Sequence, residues 1–383
     1  MICQIRAQSN SLVIVNFQSA AVALRQKAKE LKTKKVIIGF DGTVDKIVAV
    51  VDKRLGIGEN FQKVGTIDQL SDRVRAAAGK STNIELYLKE QKIGGNAAIM
   101  AGALAAGGVK TTLVADLGKP RINPVFEALS KKATLKSLGE PTETHALEFG
   151  DGKVMLCYTR NHEAITFENI EKVLGGRGGL KSTLEQSNLM ALVNWTMIPA
   201  MTGIFKRLLG EVLPGCKASD GLVFFDLADP EKRPVAELKE ALELIGKFSQ
   251  YKKIVLGLNL KEAQQVAAVL GLGSVGEREE EVKQAAKKIR EKLGIAYLAI
   301  HLTESAGCST QRGENCVYGP HIETPRIKTG AGDHFNAGLA AGLMLGVDDE
   351  TTLTLAVAYS GFYVAQGHSP TFEEALSLIE KGW

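Results

Sequence analysis

Short apolar segments alternate with helical patterns through the second half of the sequence. The predicted strands are 190–193, 222–226, 254–258 and 296–301. The predicted helices are 232–247, 277–293, 333–345 and 350–366. Strands that alternate with helices form a mostly parallel sheet with helices packed on both faces. The sequence therefore predicts an α/β protein with a three-layer α/β/α architecture.

The first half of the chain adds elements of the same kind. Apolar runs predict buried strands at 36–40 and 111–115. Alternating residues around a central glycine turn predict a hairpin at 144–158. A helix is expected over 18–32, and the glycine-rich segment 173–182 is expected to be a flexible loop.

Residues 52–92 are polar and charged, and they interrupt the predicted order of strands and helices. We expect this segment to be a largely helical insertion. The expected organisation is an N-terminal helical extension over 1–35 and one large domain over 36–383 that carries the insertion. The apolar residues assigned to helical spacing within it are Leu70, Val74, Ala77, Ile84, Leu86 and Leu88.

Composition excludes several classes of protein. A net charge of +4 on 383 residues gives no reason to expect a nucleic-acid partner. No apolar run approaches the length of a membrane span, so no membrane partner is expected either. The five cysteines are scattered and form no CxxC pair, which is typical of a protein of the reducing cytoplasm.

The segment 328–338 places two glycines beside an aspartate at a predicted helix start. Gly330 and Gly332 flank Ala331, and Asp333 follows. Glycine lets a backbone approach a ligand, and a helix N-terminus attracts anions. A carboxylate there predicts a base that takes a proton from a hydroxyl attacking a phosphate. The alternative is a simple N-cap. The helix dipole is expected to keep Asp333 ionised at neutral pH.

Two further motifs are predicted to bind hydroxyl groups. Asp41 and Asp45 follow the first predicted strand of the sheet, at the end where ligands bind in α/β proteins. Gly94, Gly95 and Asn96 open the next predicted helix and combine bare backbone with an amide side chain. The alternatives are turn formation by Asp-Gly and an asparagine N-cap.

A fourth motif pairs Asn259 with Glu262 directly after the strand at 254–258. Both side chains lie on one face of a helix's first turn, and oxygen ligands of this kind suit Mg²⁺ held through water. The alternative is a capping box, and both interpretations can hold together. A loop after the strand at 296–301 is also expected to lie against phosphates, and its residues include Thr303, Ser305 and Gly307.

In their order and spacing these motifs resemble those of the ribokinase-like carbohydrate kinases, the PfkB family. The resemblance runs from about residue 36 to about residue 374. Its most specific parts are the GAGD segment with the FNAG helix that follows, the GGN helix start and the NxxE pair. The resemblance implies a ribokinase-like fold. It also implies Mg²⁺-assisted transfer of the ATP γ-phosphoryl group to a hydroxyl of a sugar or a nucleoside.

The resemblance also implies a role for each motif. Asp333 is the expected catalytic base, with Gly330, Ala331 and Gly332 as its anion hole. The expected sugar contacts are Asp41, Asp45, Gly94, Gly95 and Asn96. The expected nucleotide contacts are Asn259, Glu262, Thr303, Ser305, Gly307, Lys328 and Asn336, with Mg²⁺ held by Asn259 and Glu262 through water. The insertion at 52–92 is the expected lid, through which two copies are expected to pair as a homodimer.

Three positions depart from the family pattern. Ile327 and Lys328 stand where the family commonly has an acid and a hydroxyl residue, which puts its monovalent-cation site in doubt. His334 stands where a small residue is usual. Two alternatives to a sugar kinase stay open: a vitamin-type kinase of the same fold, for pyridoxal or hydroxymethylpyrimidine, and a non-catalytic sensor of sugar or nucleotide. The GGN motif and the insertion favour a sugar.

Overall fold

The computed structural model describes residues 3–4, 14–15, 17–217 and 220–383. Within these ranges, no helix is long and apolar enough to cross a membrane. The strands, in chain order, are β1 (Cys3–Gln4), β2 (Ile14–Val15), β3 (Lys35–Phe40), β4 (Thr43–Arg54), β5 (Phe61–Lys63), β6 (Leu86–Gly94), β7 (Lys110–Ala115), β8 (Thr134–Ser137), β9 (Thr142–Glu148), β10 (Lys153–Tyr158), β11 (Leu189–Leu192), β12 (Leu222–Asp226), β13 (Lys253–Asn259), β14 (Tyr297–His301), β15 (Ser305–Thr310) and β16 (Gly313–Tyr318).

The helices surround these strands. They are α1 (Phe17–Leu31), α2 (Ile67–Ala76), α3 (Asn96–Ala106), α4 (Glu127–Ser130), α5 (Phe167–Val173), α6 (Gly176–Gln186), α7 (Met201–Arg207), α8 (Val235–Lys247), α9 (Leu260–Val269), α10 (Glu279–Leu293), α11 (Ala331–Leu345), α12 (Asp349–Gln366) and α13 (Phe372–Lys381).

The central sheet has the strand order β16-β15-β14-β13-β12-β11-β3-β7-β8. The strands from β14 to β8 run parallel to one another, and β15 and β16 join one edge as an antiparallel pair. Because parallel strands end at the same edge, the residues that follow β3, β11, β12 and β13 lie side by side.

Alternation along the strands divides the core into two halves. In β3, Val36 and Ile38 face one core, whereas Ile37 between them faces the other. Helices α1, α3, α11, α12 and α13 cover the first face, and α5 to α10 cover the second. Burial of a large apolar side chain contributes about 1.5–3 kcal/mol, so both faces hold their helices firmly. The expected three-layer α/β fold is confirmed.

A second sheet, which we call the outer sheet, is formed by β4, β5, β6, β9 and β10. Strand β4 pairs with β6 in antiparallel fashion and with β9 in parallel fashion. Its small core contains Val48, Val50, Val64 and Leu147. The predicted hairpin at 144–158 is confirmed, and it belongs to this sheet.

The expected helical character of 52–92 is only partly correct. Leu70 and Val74 lie in α2, as their spacing predicted. Leu86 and Leu88, however, lie in β6, and their separation by two residues fits the period of a strand.

Two further expectations concern segments without a motif. The segment 173–182 is mostly helical, because α5 ends at Val173 and α6 begins at Gly176. The helix predicted at 18–32 matches α1. Before it, β1 and β2 pair with each other, and the remainder of the expected extension before α1 lies outside the described residues.

Candidate active site

The carboxyl edge of the central sheet gathers the polar residues that the motifs singled out. Asp41 follows β3 and Asn259 ends β13, with β11 and β12 between these two strands. The N-termini of α3 and α11 meet at the same edge, where Asn96 Nδ2 donates a hydrogen bond to Asp333 Oδ1 at 2.9 Å. Open α/β sheets bind their ligands at this edge. Separate motifs therefore form one polar cluster.

The turn that opens α11 has the backbone expected of an anion site. Gly330 caps the helix with a φ of 91°, a left-handed conformation that favours glycine. Gly332 and Asp333 lie in the first turn, whose N–H groups have no partner inside the helix. The N–H of Ala331 donates instead to the Lys328 carbonyl at 3.2 Å. Ala331 is therefore not available as a phosphate donor in this conformation, contrary to its expected role.

His334 and Tyr363 hold this turn in place. His334 Nδ1 lies 2.7 Å from the Gly330 carbonyl oxygen, and its Nε2 lies 2.8 Å from Ser369 Oγ. The imidazole stacks on Tyr363 with 3.6 Å between ring centroids, and the Tyr363 hydroxyl donates to the Thr329 carbonyl at 3.0 Å. Burial lowers the pKa of His334 to about 4. The neutral ring therefore donates from Nδ1 and accepts from the Ser369 hydroxyl at Nε2.

Asp333 is 8% exposed and accepts the hydrogen bond from Asn96. Burial, and after it the charge of Asp41, raises the pKa of the Asp333 carboxyl well above its usual range, while the Asn96 hydrogen bond opposes this. The expectation that the helix dipole keeps Asp333 ionised without further tuning is therefore wrong, because desolvation outweighs it. Raised basicity makes the ionised carboxylate a stronger proton acceptor.

Asp41 lies at the predicted position after β3, but its hydrogen bonds are made within the protein. Its side chain is fully buried and accepts hydrogen bonds from the N–H groups of Asn96 (2.8 Å) and Ala97 (2.9 Å) and from Asn194 Nδ2 (2.8 Å). Gly95 has a φ of 89°, and a Cβ there would lie 2.9 Å from Asp41 Oδ2. Asp41 therefore fixes the start of α3 rather than binding a sugar hydroxyl.

Asp45 lies near the start of β4, where the outer sheet meets the central one, and is 6% exposed. Gly94 of the paired strand packs directly on its carboxylate. Burial raises the pKa of Asp45 to about 6, and the nearby charges of Lys92 and Lys153 oppose this. A carboxylate beside bare backbone at this edge can accept hydrogen bonds from substrate hydroxyls.

Asn259 and Glu262 form the capping box of α9. Asn259 Oδ1 accepts from the Glu262 N–H at 2.9 Å, and Glu262 Oε2 accepts from the Asn259 N–H at 2.9 Å. The other carboxylate oxygen of Glu262 accepts from the N–H of Asp229 at 2.9 Å. Burial raises the pKa of Glu262. The capping interpretation is therefore confirmed, and it leaves a negative charge at the carboxyl edge.

Asp226 and Asn336 form a contact that the sequence did not reveal. Asp226 ends β12, and its Oδ2 accepts from Asn336 Nδ2 at 2.9 Å. Asn336 is 1% exposed and supports Asp226. Its burial leaves little surface for the nucleotide contact that was expected of it. Burial, and then the charges of Glu262 and Asp333, raises the pKa of Asp226 well above its usual range. The sequence offered one sign of this contact, the charged Asp226 at the end of an otherwise apolar strand.

The expected phosphate loop after β14 is mostly strand. Ser305 begins β15, and Gly307 is paired with both β14 and β16. The backbone of Gly307 therefore belongs to the sheet and not to a loop, and its predicted nucleotide contact stays a prediction. Thr303 and Lys328 are exposed, so their predicted nucleotide contacts stay predictions.

Solved structures share this architecture. The ribokinase of Thermotoga maritima is 17% identical, with a TM-score of 0.60, and the match covers 91% of this chain and 99% of that one. The fructokinase with bound ATP from Xylella fastidiosa is 14% identical, with a TM-score of 0.62 and coverage of 92% and 99%. At such identities the likeness shows the fold. The protein therefore has the ribokinase fold, with the polar cluster at the carboxyl edge of its central sheet.

The sequence comparisons narrow the class. The model of the prokaryotic ketohexokinase family matches residues 16–381. A ketohexokinase of Haloferax volcanii is 27% identical over 342 residues, which are 89% of this chain and 89% of the relative. The chain therefore belongs to the prokaryotic ketohexokinase family. The expected class, a ribokinase-like carbohydrate kinase, is confirmed.

Proposed function

We propose that this protein transfers the γ-phosphoryl group of ATP to a hydroxyl of a ketohexose. The contact between Asn96 and Asp333 carries the proposal, because it joins a buried carboxylate to the N-terminus of α3 at the turn that opens α11, and a base there would meet both a hydroxyl and a phosphate. The family match supports a ketohexose as the acceptor. The fructokinase structure with ATP, which shares the fold, supports ATP as the donor.

In the proposed reaction, Asp333 accepts the proton of the attacking hydroxyl while the hydroxyl oxygen bonds to the γ-phosphorus. The bond from the γ-phosphorus to the oxygen bridging the β-phosphate breaks, and ADP leaves with that electron pair. N–H groups of Gly332 and Asp333 at the helix start stabilise charge on the transferring group. Asp45 accepts a hydrogen bond from another hydroxyl and so orients the sugar.

Mg²⁺ is the proposed metal, held through water by Asn259 and Glu262. Both Glu262 oxygens already accept backbone hydrogen bonds, and each retains lone-pair capacity for a metal-bound water. In the described part of the chain, no group of three or more His, Cys, Asp or Glu residues could hold a metal ion. This fits an ion coordinated chiefly by phosphates and water. When bound, it neutralises negative charge on the phosphates.

The outer sheet is the proposed lid, in place of the predicted 52–92 alone, within a domain spanning 36–383. It is joined to the polar cluster through Asp45 and Gly94. Closure over the sugar would exclude water from the phosphoryl group. Hydrogen exchange in β6 and β10 should slow when ketohexose is added. Unchanged protection at saturating sugar would show that the sheet is a fixed element.

The outer sheet is also the proposed homodimer contact. Several of its large apolar side chains are more than a third exposed, which suits a protein interface. They are Leu86 (37%), Leu88 (46%), Met155 (39%), Leu156 (53%) and Tyr158 (73%). Sedimentation equilibrium of the wild type and of Leu156→Asp should show a dimer and a monomer, respectively. A dimer that survives the substitution would place the contact elsewhere.

A coupled ADP-release assay tests the proposed function. D-fructose and other ketohexoses would be compared with glucose, ribose, adenosine and pyridoxal, each with ATP and Mg²⁺. The best ketohexose is expected to have a kcat/KM roughly 10- to 200-fold above the other compounds. A preference for pyridoxal would support the vitamin-type kinase. Binding of sugar without ADP release from any compound would support a sensor.

A further inference from the structure

We propose that Asn194 and Asp41 are positioning residues of the phosphoryl transfer, holding Asn96 so that its amide fixes one oxygen of the base Asp333. The hydrogen bonds run from the end of β11, through the residue that follows β3 and the first residue of α3, to the first turn of α11. This inference rests on the proposed function, because it assigns the partners of the proposed base.

Asp41 is the centre of this network. It is fully buried, and its two oxygens accept three hydrogen bonds at 2.8–2.9 Å. A buried carboxylate with three donors is held in one orientation, since each lost bond would leave a desolvated group without a partner. Two of the donors are the N–H groups of Asn96 and Ala97. Asp41 therefore sets where α3 begins and where Asn96 stands.

Asn194 fixes Asp41 from the other side. It has a φ of 58°, in the left-handed region that asparagine tolerates better than most residues. Its Nδ2 donates to Asp41 Oδ2 at 2.8 Å, and its Oδ1 accepts from the Met197 N–H at 3.3 Å. Because both ends of the amide are engaged, its orientation is defined, and so is the position of the carboxylate it contacts.

Asn96 carries the constraint to the base. Its backbone N–H donates to Asp41, while its side-chain Nδ2 donates to Asp333 Oδ1. One Asp333 oxygen is thereby held by the protein, and the other remains for the substrate hydroxyl. A shift in the start of α3 would rotate the carboxylate relative to the phosphoryl group. Misplacement on the order of 1 Å costs up to about 100-fold in rate.

The network has an electrostatic signature that packing alone would not produce. The charge of Asp41 raises the pKa of Asp333, whereas the hydrogen bond from Asn96 lowers it. His334 and His301 have pKa values lowered to about 4 by burial and are neutral at working pH. The charged or titratable groups that surround Asp333 are Asp41, Asp45, Asp226, Glu262, His301, His334 and Tyr363.

Opposite pH shifts test the network. Asp41→Asn removes a like charge, so the acidic limb of kcat/KM for ketohexose should move to lower pH. Asn96→Ala removes a bond to the ionised carboxylate, so the limb should move to higher pH. Each shift is expected to be about half a unit or more. The proposal would be overturned if the acidic limb of the pH profile of kcat/KM did not move in the two variants, or moved in the same direction in both.

Asn194→Gly provides a second variant in case Asp41→Asn does not fold. Glycine tolerates the left-handed backbone, so this change removes the amide with little strain. We expect kcat to fall roughly 10- to 100-fold, while KM for ATP changes little. A kcat within twofold of wild type would overturn the proposal. A fall in kcat that is matched by equal rises in KM for ketohexose and for ATP would also overturn it.

A readout without catalysis separates this proposal from the proposed function. The ¹³C-carboxyl NMR titration of Asp333 can be followed in the ligand-free wild type and in the three variants. If the wild type phosphorylates no sugar, the proposed function fails, yet the opposite titration shifts in Asp41→Asn and Asn96→Ala would still support the network. If the wild type is active and these titrations do not move, the network fails alone.

Discussion

The two halves of the polar cluster are satisfied to different degrees. We call the part around Asp41, Asn96 and Asp333 the hydroxyl half, because the proposed base lies there; both Asp41 oxygens accept hydrogen bonds and fix the position of Asn96. We call the part around Asp226, Glu262 and Asn336 the phosphate half, because the proposed Mg²⁺ site lies there; its buried Oδ1 atoms of Asp226 and Asn336 accept no hydrogen bond from the described residues. An unpaired buried polar group costs about 1–3 kcal/mol. The hydroxyl half is therefore ordered by its own hydrogen bonds, whereas the two unpaired oxygen atoms destabilise the phosphate half.

The largest expected effect is loss of the base. Asp333→Asn keeps the size of the side chain and removes its proton affinity, so kcat should fall roughly 10²- to 10⁴-fold while folding and the ATP Kd are retained. The measurement is kcat beside calorimetric ATP binding and the melting temperature. Asp348→Asn, at the N-cap of α12, is the matched control and should retain wild-type kcat. A folded Asp333→Asn enzyme within a few-fold of wild type would falsify the base role.

Asp45→Ala should lower kcat/KM for the sugar and leave nucleotide binding unchanged. Loss of a buried hydrogen-bond partner costs about 1–3 kcal/mol, or about 5- to 150-fold in kcat/KM for ketohexose. The Kd of ATP should stay near the wild-type value. Asp52→Ala, an exposed carboxylate of the same strand, is the control. Equal weakening of both ligands would remove Asp45 from the sugar site.

Glu262→Gln tests the phosphate half. It keeps the shape of the capping box and removes one charge near the proposed Mg²⁺, so half-maximal rate should need several-fold more Mg²⁺. Glu374→Gln makes the same change in the capping box of α13, which contains none of the proposed Mg²⁺ contacts, and is the control. A Mg²⁺ dependence that is identical in both variants and the wild type would reduce Glu262 to a helix cap.

Asp226→Asn should produce the smallest effect, a gain in stability. Because the folded pKa of Asp226 is raised by burial, its ionisation favours the unfolded state above the unfolded pKa of about 3.9. The substitution should therefore add about 1 kcal/mol to the free energy of unfolding at neutral pH, and the gain should shrink as the pH falls towards 4. Melting temperatures across this range measure it, with exposed Asp52→Asn as the control. A stability gain of Asp226→Asn over the wild type that does not change with pH, or a loss of stability, would contradict the contrast between the two halves.

The fold could be predicted because periodicity is a local property. Strand β3 and helices α10 to α12 carry apolar patterns that needed no distant partner for their assignment. The outer sheet was misassigned where the pattern was short. Leu86 and Leu88 are two residues apart, and they became strand residues through pairing with β4.

The candidate site was predictable by position but not by contact. Asp333, Asn96 and Asn259 stand at helix starts or strand ends, which sequence patterns can locate. The partners of Asp41 could not be found in this way, because Asn194 is 153 residues away along the chain. Desolvation of Asp333 likewise depends on the packed surroundings, so an argument from the helix dipole alone gave the wrong direction.

The outer sheet is covalently joined to the residues that order the base. Strand β4 begins two residues after Asp41, and β6 ends two residues before Asn96. If the sheet acts as the proposed lid, its displacement by a sugar would be transmitted along the chain to Asp41 and Asn96, whose contact positions the Asn96 amide against Asp333. Water, which is too small to engage the outer sheet, cannot produce that displacement. We therefore expect idle hydrolysis of ATP to be slow when no sugar is present, so that the nucleotide is conserved until an acceptor arrives.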